Sequence, residues 1–318
     1  MDSEARAMIL SVSRRTDIPA CYADWFFNRL HEGFLLVRNP MDPHRISRVP
    51  LDAEAVSGIV FWSKNPEPML ERLKFLKQYA YYFQFTVTPY GKDVEPNVPD
   101  KLEKVIPVFR QLSDLIGPKR VIWRYDPVFI NPRYDIKFHL SAFETLSKAL
   151  EGYTEKCIFS FADDYKSTRR NREALAILEI SNVERRVIGR AFSEIAQSRG
   201  MELETCAEEI DLSEYNIGHA RCVDGRLMES ISGYALHTKK AQGQRKLCGC
   251  VQSTDIGMYN SCKNGCLYCY ANYSLPLMRK NISLHDPASP LLCGRVREGD
   301  VLSEKHVTQK AVQLRLSR

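Results

Sequence analysis

The sequence predicts an α/β protein: a partial TIM-like (β/α) barrel followed by a cysteine-rich segment and a C-terminal tail. Three observations predict it. Short β-rich runs alternate with helical patterns over the first two-thirds of the chain. The strand runs are almost continuously apolar, as in a sheet buried on both faces. Polar clusters recur at the C-terminal ends of the strands, and a barrel gathers those ends on one rim. An open doubly wound sheet also fits the alternation, but no Gly-rich phosphate loop follows the first strand, which argues against a dinucleotide-binding version of it. The expected divisions are a barrel-like domain over 1–210, a cysteine-rich segment over 211–275 and a tail over 276–318.

Ile9–Ser13 is apolar and ends in Arg14-Arg15-Thr16-Asp17, so it is the first expected strand. Tyr22–His31 places Trp25, Phe26 and Leu30 on one helical side and is followed by Gly33. Gly58–Trp62 is a second buried strand, ending in Ser63-Lys64-Asn65-Pro66. Met69–Tyr79 has helical spacing at Met69, Leu70, Leu73 and Leu76. Tyr81–Thr88 is a third strand, and its aromatic residues are expected in the core. Lys101–Leu115 reads as a helix that Pro107 should kink or split. Arg120–Arg124 is a fourth strand, followed by Tyr125-Asp126-Pro127. Phe138–Leu150 is helical, and Cys157–Phe161 is a fifth strand ending in Asp163-Asp164. Lys166–Arg172 is a basic connection, and Val183–Ser198 an amphipathic helix with Val187, Ile188, Ala191, Phe192 and Ile195 inward. Leu203–Cys206 is a sixth strand, after which the alternation stops. The last forty residues read as an extended tail with little core.

The 318 residues are 44% hydrophobic and 26% charged, which excludes wholesale disorder, a fibrous repeat and a membrane bundle. No apolar run approaches the ~20 residues of a membrane span. The N-terminus is too acidic at its start for a signal peptide. Cytoplasmic localisation and no membrane partner are therefore expected. The net charge of +6 permits nucleic acid or phosphorylated partners without requiring them.

Ten cysteines are unusual for such a chain, and five of them fall between Cys248 and Cys269. In a reducing compartment clustered thiols bind metal more often than they form disulfides. Cys262, Cys266 and Cys269 are spaced C-x3-C-x2-C, so three thiolates on one loop can reach three corners of a cubic 4Fe–4S cluster and leave one iron open. Gly265 lets that loop turn tightly. Tyr268, one before the last cysteine, can cover the cluster and adjoin a substrate. Zinc is the alternative, since thiolates select both, although paired C-x2-C hooks are its commoner pattern. Cys206, Cys222, Cys248 and Cys250 could hold a second iron–sulfur cluster or a zinc ion, or be buried small hydrophobes. Cys21, Cys157 and Cys293 have no partner at useful spacing and are read as structural.

Cys262 through Cys269 resembles the signature of the radical S-adenosylmethionine superfamily, C-x3-C-x-aromatic-C. The resemblance implies an open iron chelated by S-adenosylmethionine, an external electron donor and a 5′-deoxyadenosyl radical, with the protein supplying orientation and exclusion of water. Two departures stand out. That motif normally follows the first barrel strand, whereas here it follows the whole barrel-like part, and no Gly-Gly-Glu segment follows the second strand. A narrower resemblance rests on Ser13–Pro19, Phe61–Pro66, Phe85–Thr88, Trp123–Pro127 and Cys248 through Asn272. These are similar to a bacterial family catalogued as a domain of unknown function with a C-terminal radical-SAM-like cluster. Its members are sometimes labelled relatives of spore photoproduct lyase.

Arg14, Arg15, Asp17, Lys64, Asn65, Arg124 and Asp126 all fall at strand ends and are the expected cofactor- and substrate-binding groups, with Tyr268. Guanidinium and ammonium groups there could hold a carboxylate or phosphate, and the aspartates could accept from ribose hydroxyls. The alternative is that these charges pair with one another. Lys166, Arg169, Arg170 and Arg172, with Lys239, Lys240, Arg245 and Lys246, would form a nucleic-acid track only if they share one side. The expected function is a radical S-adenosylmethionine-type enzyme acting on an anionic, small-molecule or nucleotide-like substrate. The alternative is a non-catalytic, zinc- or iron–sulfur-stabilised nucleic-acid-binding protein.

Overall fold

The computed structural model describes residues 8–163 and 168–305. Its centre is an eight-stranded sheet, parallel at every pairing. The strands are β1 (Met8–Val12), β4 (Val56–Ser63), β5 (Tyr81–Thr86), β6 (Val121–Val128), β7 (Lys156–Phe161), β8 (Glu202–Thr205), β9 (Gly218–His219) and β10 (Thr254–Asp255). The spatial order is β10-β1-β4-β5-β6-β7-β8-β9. From β1 to β9 it follows the chain without the reversal that defines a doubly wound sheet. β10 and β9 stand at opposite ends of this order.

The two faces are covered differently because strand side chains alternate. On one face Leu10, Phe61, Phe83, Trp123 and Phe159 share a core with the helices. These are α1 (Ile18–Cys21), α2 (Ala23–Glu32), α3 (Ile106–Ile116), α4 (Ile136–Leu150) and α6 (Asn182–Ser198), with a 3₁₀ helix over Glu67–Leu76. On the other face Ile9, Val60, Tyr82, Ile122 and Ile158 pack against Cys222, Val223, Cys248, Cys250 and Met228. Met228 lies on α7 (Gly225–Ser232), and Gly58 leaves it room: a Cβ there would collide with the Met228 thioether.

The six expected strands all form, within a few residues of their expected ends. Tyr79, Tyr81, Tyr82, Phe83 and Phe85 are buried core, as expected. The Lys101–Leu115 pattern does split, into a π-helical turn over Lys101–Val105 and α3, with Pro107 in its first turn. The Met69–Tyr79 pattern is wound as a 3₁₀ helix beginning beside Pro66 and Pro68. On α6, Ile188 and Phe192 are buried, but Val187 is about half-exposed (49%). A hairpin was missed: β2 (Phe34–Arg38) pairs antiparallel with β3 (Arg45–Pro50), whose other side takes β11 (Val301–Glu304) in parallel. The tail is also less detached than its sequence suggests. It contains α8 (Leu275–Ser283), and Leu291, Leu292 and Cys293 are buried. Trp25 Nε1 donates to the Ser289 carbonyl (2.8 Å) and Leu36 N to that of Pro290 (2.9 Å). Among the described residues no helix is long and apolar enough to cross a membrane.

Candidate metal centre

The motif loop, though late in the chain, lies beside the first strand. β10 pairs with β1 at the sheet edge, and the chain leaving β10 runs directly into the cysteines. Asp255 fastens that edge. It accepts from Ser13 Oγ (2.6 Å), Ser11 Oγ (3.0 Å), the Arg14 and Gly257 N–H groups (2.8 and 3.0 Å) and Arg15 Nε (2.9 Å). Thr16 Oγ1 donates to the Met258 carbonyl (2.6 Å), and Tyr22 OH to that of Ser261 (2.5 Å).

Asp17 caps α1 and joins three segments. Its carboxylate accepts from Ala20 N (3.0 Å), Ser63 Oγ (2.7 Å), Lys64 N (2.8 Å) and Asn264 Nδ2 (2.8 Å). From the other side, Asn97 Nδ2 donates to the Lys263 carbonyl (2.8 Å) and Leu267 N to that of Val94 (3.0 Å). Gly265 takes a left-handed φ of +68° between these anchors, a conformation a side chain would strain.

Within the loop the three thiols are close enough to affect one another's ionisation. The backbone N–H groups of Asp17 and Asn264 act to lower the Cys262 thiol, and those of Ala271 and Asn272 the Cys269 thiol. N–H groups aimed at sulfur favour the thiolate that a metal requires. Burial pushes the Cys266 thiol well up and that of Cys269 to about 11. A hydrogen bond from Cys21 holds that of Cys262 down. Cys21, which sequence spacing left without a partner, is thus near enough to Cys262 for the two thiols to affect each other's ionisation.

Beneath the loop lies a charged cluster that the sequence did not reveal. Glu95 is fully buried. It accepts from Lys64 Nζ (2.7 Å), Thr88 Oγ1 (2.7 Å) and Tyr268 OH, and pairs with Lys101 Nζ (2.6 Å). Lys64 Nζ also lies 5.5 Å from the Tyr268 ring centre. Burial alone would lower Lys64, but Glu95 and Cys266 hold it protonated. Tyr268 is thus aimed by its hydroxyl, and its ring packs against Tyr90 and Phe129.

The second thiol group lies on the sheet face away from the helices. Cys206 follows β8 and Cys222 follows β9, and their sulfurs are 3.4 Å apart. Cys248 and Cys250 are buried in the same cluster as Cys222. Val223 N donates to Cys250 Sγ (3.3 Å). Arg124 is buried on β6, offers its guanidinium to Cys222 Sγ (2.9 Å), and pairs with Asp126. Among the described residues no three His, Cys, Asp or Glu side chains already stand as a single ion's ligands.

The expected strand-end groups therefore share one edge of the sheet but are largely occupied. Arg15 is spent on Asp255, Lys64 on Glu95, and Arg124 and Asp126 on each other. Arg14 binds Ser253 Oγ (3.2 Å) and lies 5.7 Å from the Trp62 ring centre; Arg124 lies 5.3 Å from the same ring. Asn65 Oδ1 is buried without a hydrogen-bond partner, as is Trp62 Nε1. Cys157 and Cys293 are buried.

A family model described as Domain of unknown function (DUF1848) matches residues 9–271. The chain belongs to this family. The DUF1848 match begins in β1 and ends just past Cys269, so it contains both thiol groups. No curated protein matches the chain. Two solved structures are similar, both of the carboxyl transferase domain of Rhizobium etli pyruvate carboxylase. One, a variant with pyruvate, is 12% identical over 69% of this chain and 40% of that one, at a TM-score of 0.28. The other is 13% identical over 64% and 36%, at 0.26. The DUF1848 chain spans about two fifths of the length of these solved chains.

A cavity of about 400 Å³ opens beyond Phe129 and Phe161 at the ends of β6 and β7. Arg172, Arg185, Asp163 and Glu208 line it. Burial pushes the Glu208 carboxyl up to about 7, although Phe161 N donates to it (2.9 Å). Asp163 pairs with Arg245 (2.6 Å). Arg169, Lys239, Lys240 and Lys246 are exposed. Asp164 and Lys166 lie outside the described residues, as does the side chain of Arg170.

Proposed function

We propose that this DUF1848 protein is an iron–sulfur enzyme of the radical S-adenosylmethionine type, built on a partial (β/α) barrel. One observation carries the reading. The C-x3-C-x-Tyr-C loop follows an edge strand, β10, that stands immediately before β1 in the sheet. The motif's late position in the chain is therefore compatible with the place it takes in the superfamily, after the first strand of the barrel. The monotonic order from β1 to β9, with most helices on one face, also supports a barrel-like winding.

The residues present fit a cluster. Cys262, Cys266 and Cys269 would supply three thiolates, their backbone N–H partners would stabilise the charge, and Lys64 would offset part of it. Ligands of a cubic cluster sit on separate irons, so they need not enclose one point. With S-adenosylmethionine bound, such a cluster supplies one-electron cleavage of a C–S bond. The chain itself positions and shields. Asn65 Oδ1 offers an unpartnered acceptor for an ammonium, Arg14 and Trp62 form a cationic and aromatic wall, and Glu95 fixes the Tyr268 hydroxyl. The substrate would enter from the cavity beside Phe129, where Glu208 can hold or release a proton near neutral pH.

Anaerobic reconstitution should give a charge-transfer absorption band and, after reduction, an electron paramagnetic resonance signal that S-adenosylmethionine perturbs, with slow release of 5′-deoxyadenosine. Stoichiometric zinc with no iron uptake by the loop would defeat the reading.

The mutual effect of Cys21 and Cys262 on each other's ionisation favours a second reading, in which Cys21 is a fourth ligand and the site is closed. C21S separates the two. An open-iron site keeps its iron and its response to S-adenosylmethionine in this variant, whereas a closed one loses iron. The closed site would suit a non-catalytic protein, whose affinity for nucleic acid should fall steeply with salt.

A further inference from the structure

We propose that Cys206, Cys222, Cys248 and Cys250 form a second metal site, a four-thiolate centre for a zinc-type divalent ion, independent of the motif loop. The four come from three separated parts of the chain, yet folding gathers them in one cluster on one sheet face, with the Cys206 and Cys222 sulfurs in contact and Cys250 held by the N–H of Val223, the residue after Cys222. The Cys206 and Cys222 sulfurs are 3.4 Å apart. A tetrahedral ion with Zn–S bonds of ~2.3 Å sets its sulfurs ~3.8 Å apart, so ligation needs only a small expansion of this contact. The ligands of a cubic cluster, each on its own iron, would have to separate much further.

The surroundings match a charged centre rather than four inert thiols. Four thiolates on a divalent ion leave two negative charges. The Arg124 guanidinium, which also pairs with Asp126, touches Cys222 Sγ at 2.9 Å, and Arg245, which also pairs with Asp163, lies 3.7 Å from Cys206 Sγ. The Val223 N–H is aimed at Cys250 Sγ. The backbone is held as second shells of metal sites are. Tyr82 OH and Gln84 Nε2 both donate to the Cys222 carbonyl (2.7 and 3.0 Å), and Ala241 N to that of Cys250 (2.9 Å). A closed set of four thiolates has no open position, which assigns the ion to structure. It would join β8 and β9 to the segment that returns to β10.

The full-length variant C262S/C266S/C269S removes the motif loop and leaves this group intact. It should take up one Co²⁺ per chain, with the sulfur-to-cobalt charge-transfer and strong visible bands of a tetrahedral thiolate site, and zinc should displace the cobalt. Adding C206S/C250S should abolish those bands. Absence of uptake in the triple variant overturns the proposal. So do bands that survive C206S/C250S, assembly of an iron–sulfur cluster at these four thiols, or a thiol count showing a Cys206–Cys222 disulfide. If the five-fold variant fails to fold, C250H in the triple background keeps four donors and should shift the bands; unshifted bands overturn the assignment. The motif loop is tested by the complementary variant C206S/C222S/C248S/C250S, so failure of either site is seen separately.

Discussion

At Glu95 two lysines and a tyrosine meet on one carboxylate that is buried from solvent. Burial raises its pKa, but Lys64 and Lys101 outweigh burial and hold it at about 2 against 4.5 for the free group. A folded value below the unfolded one means stabilisation that is complete above the unfolded pKa and is lost as pH falls through the folded one. The difference is roughly 3 kcal/mol. E95Q, which leaves two buried ammonium groups without their counter-charge, should cost about 3–5 kcal/mol at neutral pH. Urea denaturation should also show a flatter acid limb between about pH 4.5 and 2. An acid limb identical to that of the parent would rule out Glu95 as its source. Sequence patterning hid this residue because Tyr90-Gly91 and Pro96-Asn97 make its segment look like a solvated turn; only the fold buries it. Arg15 and Arg124, by contrast, were visible as strand-end cations, and pairing with Asp255 and Asp126 describes them better than free anion anchors.

Among the elements, α7 and α6 make opposite points. α7 packs its Met228 thioether over Gly58, where an added Cβ would collide with it. G58A should destabilise the protein by roughly 1–3 kcal/mol through overpacking. Combining it with M228A should cost less than the sum of the two single changes, since the collision partner is gone. Strict additivity in denaturation midpoints would mean that α7 does not bear on β4. α6 is set by local chemistry instead: Ser181 and Glu184 form a reciprocal capping box at its start. S181A should lower stability by about 1 kcal/mol with no change in metal uptake, measured by thermal melting and metal analysis side by side. A larger loss, or a loss of metal, would mean that Ser181 does more than cap.

At the scale of the molecule, the motif loop binds the two ends of the chain to each other. Asp17 and Tyr22 from the N-terminal part hold Ser261 and Asn264 from the C-terminal part, and Asp255 closes β10 onto β1. A ligand that binds only this folded arrangement stabilises it by mass action. Reconstitution with iron and sulfide should therefore raise the melting temperature by several degrees, ~1–3 kcal/mol being worth about that much in a chain of this size. C266S should abolish the rise. An equal rise in C266S would place the stabilising metal elsewhere, and the four-thiol group would be the first place to look.

The sequence by itself determined the six strands, the alternating helices, the split at Pro107 and the three-cysteine loop. Each is a local signal: apolar runs, helical spacing, a missing N–H, a spacing of four and three residues. It also placed Cys206, Cys222, Cys248 and Cys250 together as one group, but could not say that they meet. Only the tertiary structure decided that they share one cluster, with Cys206 against Cys222, along with the Glu95 cluster and the adjacency of β10 to β1. Pairings across 240 residues leave no periodicity to read. They exist because a parallel sheet brings distant strand ends to one edge, where charges excluded from water must find one another.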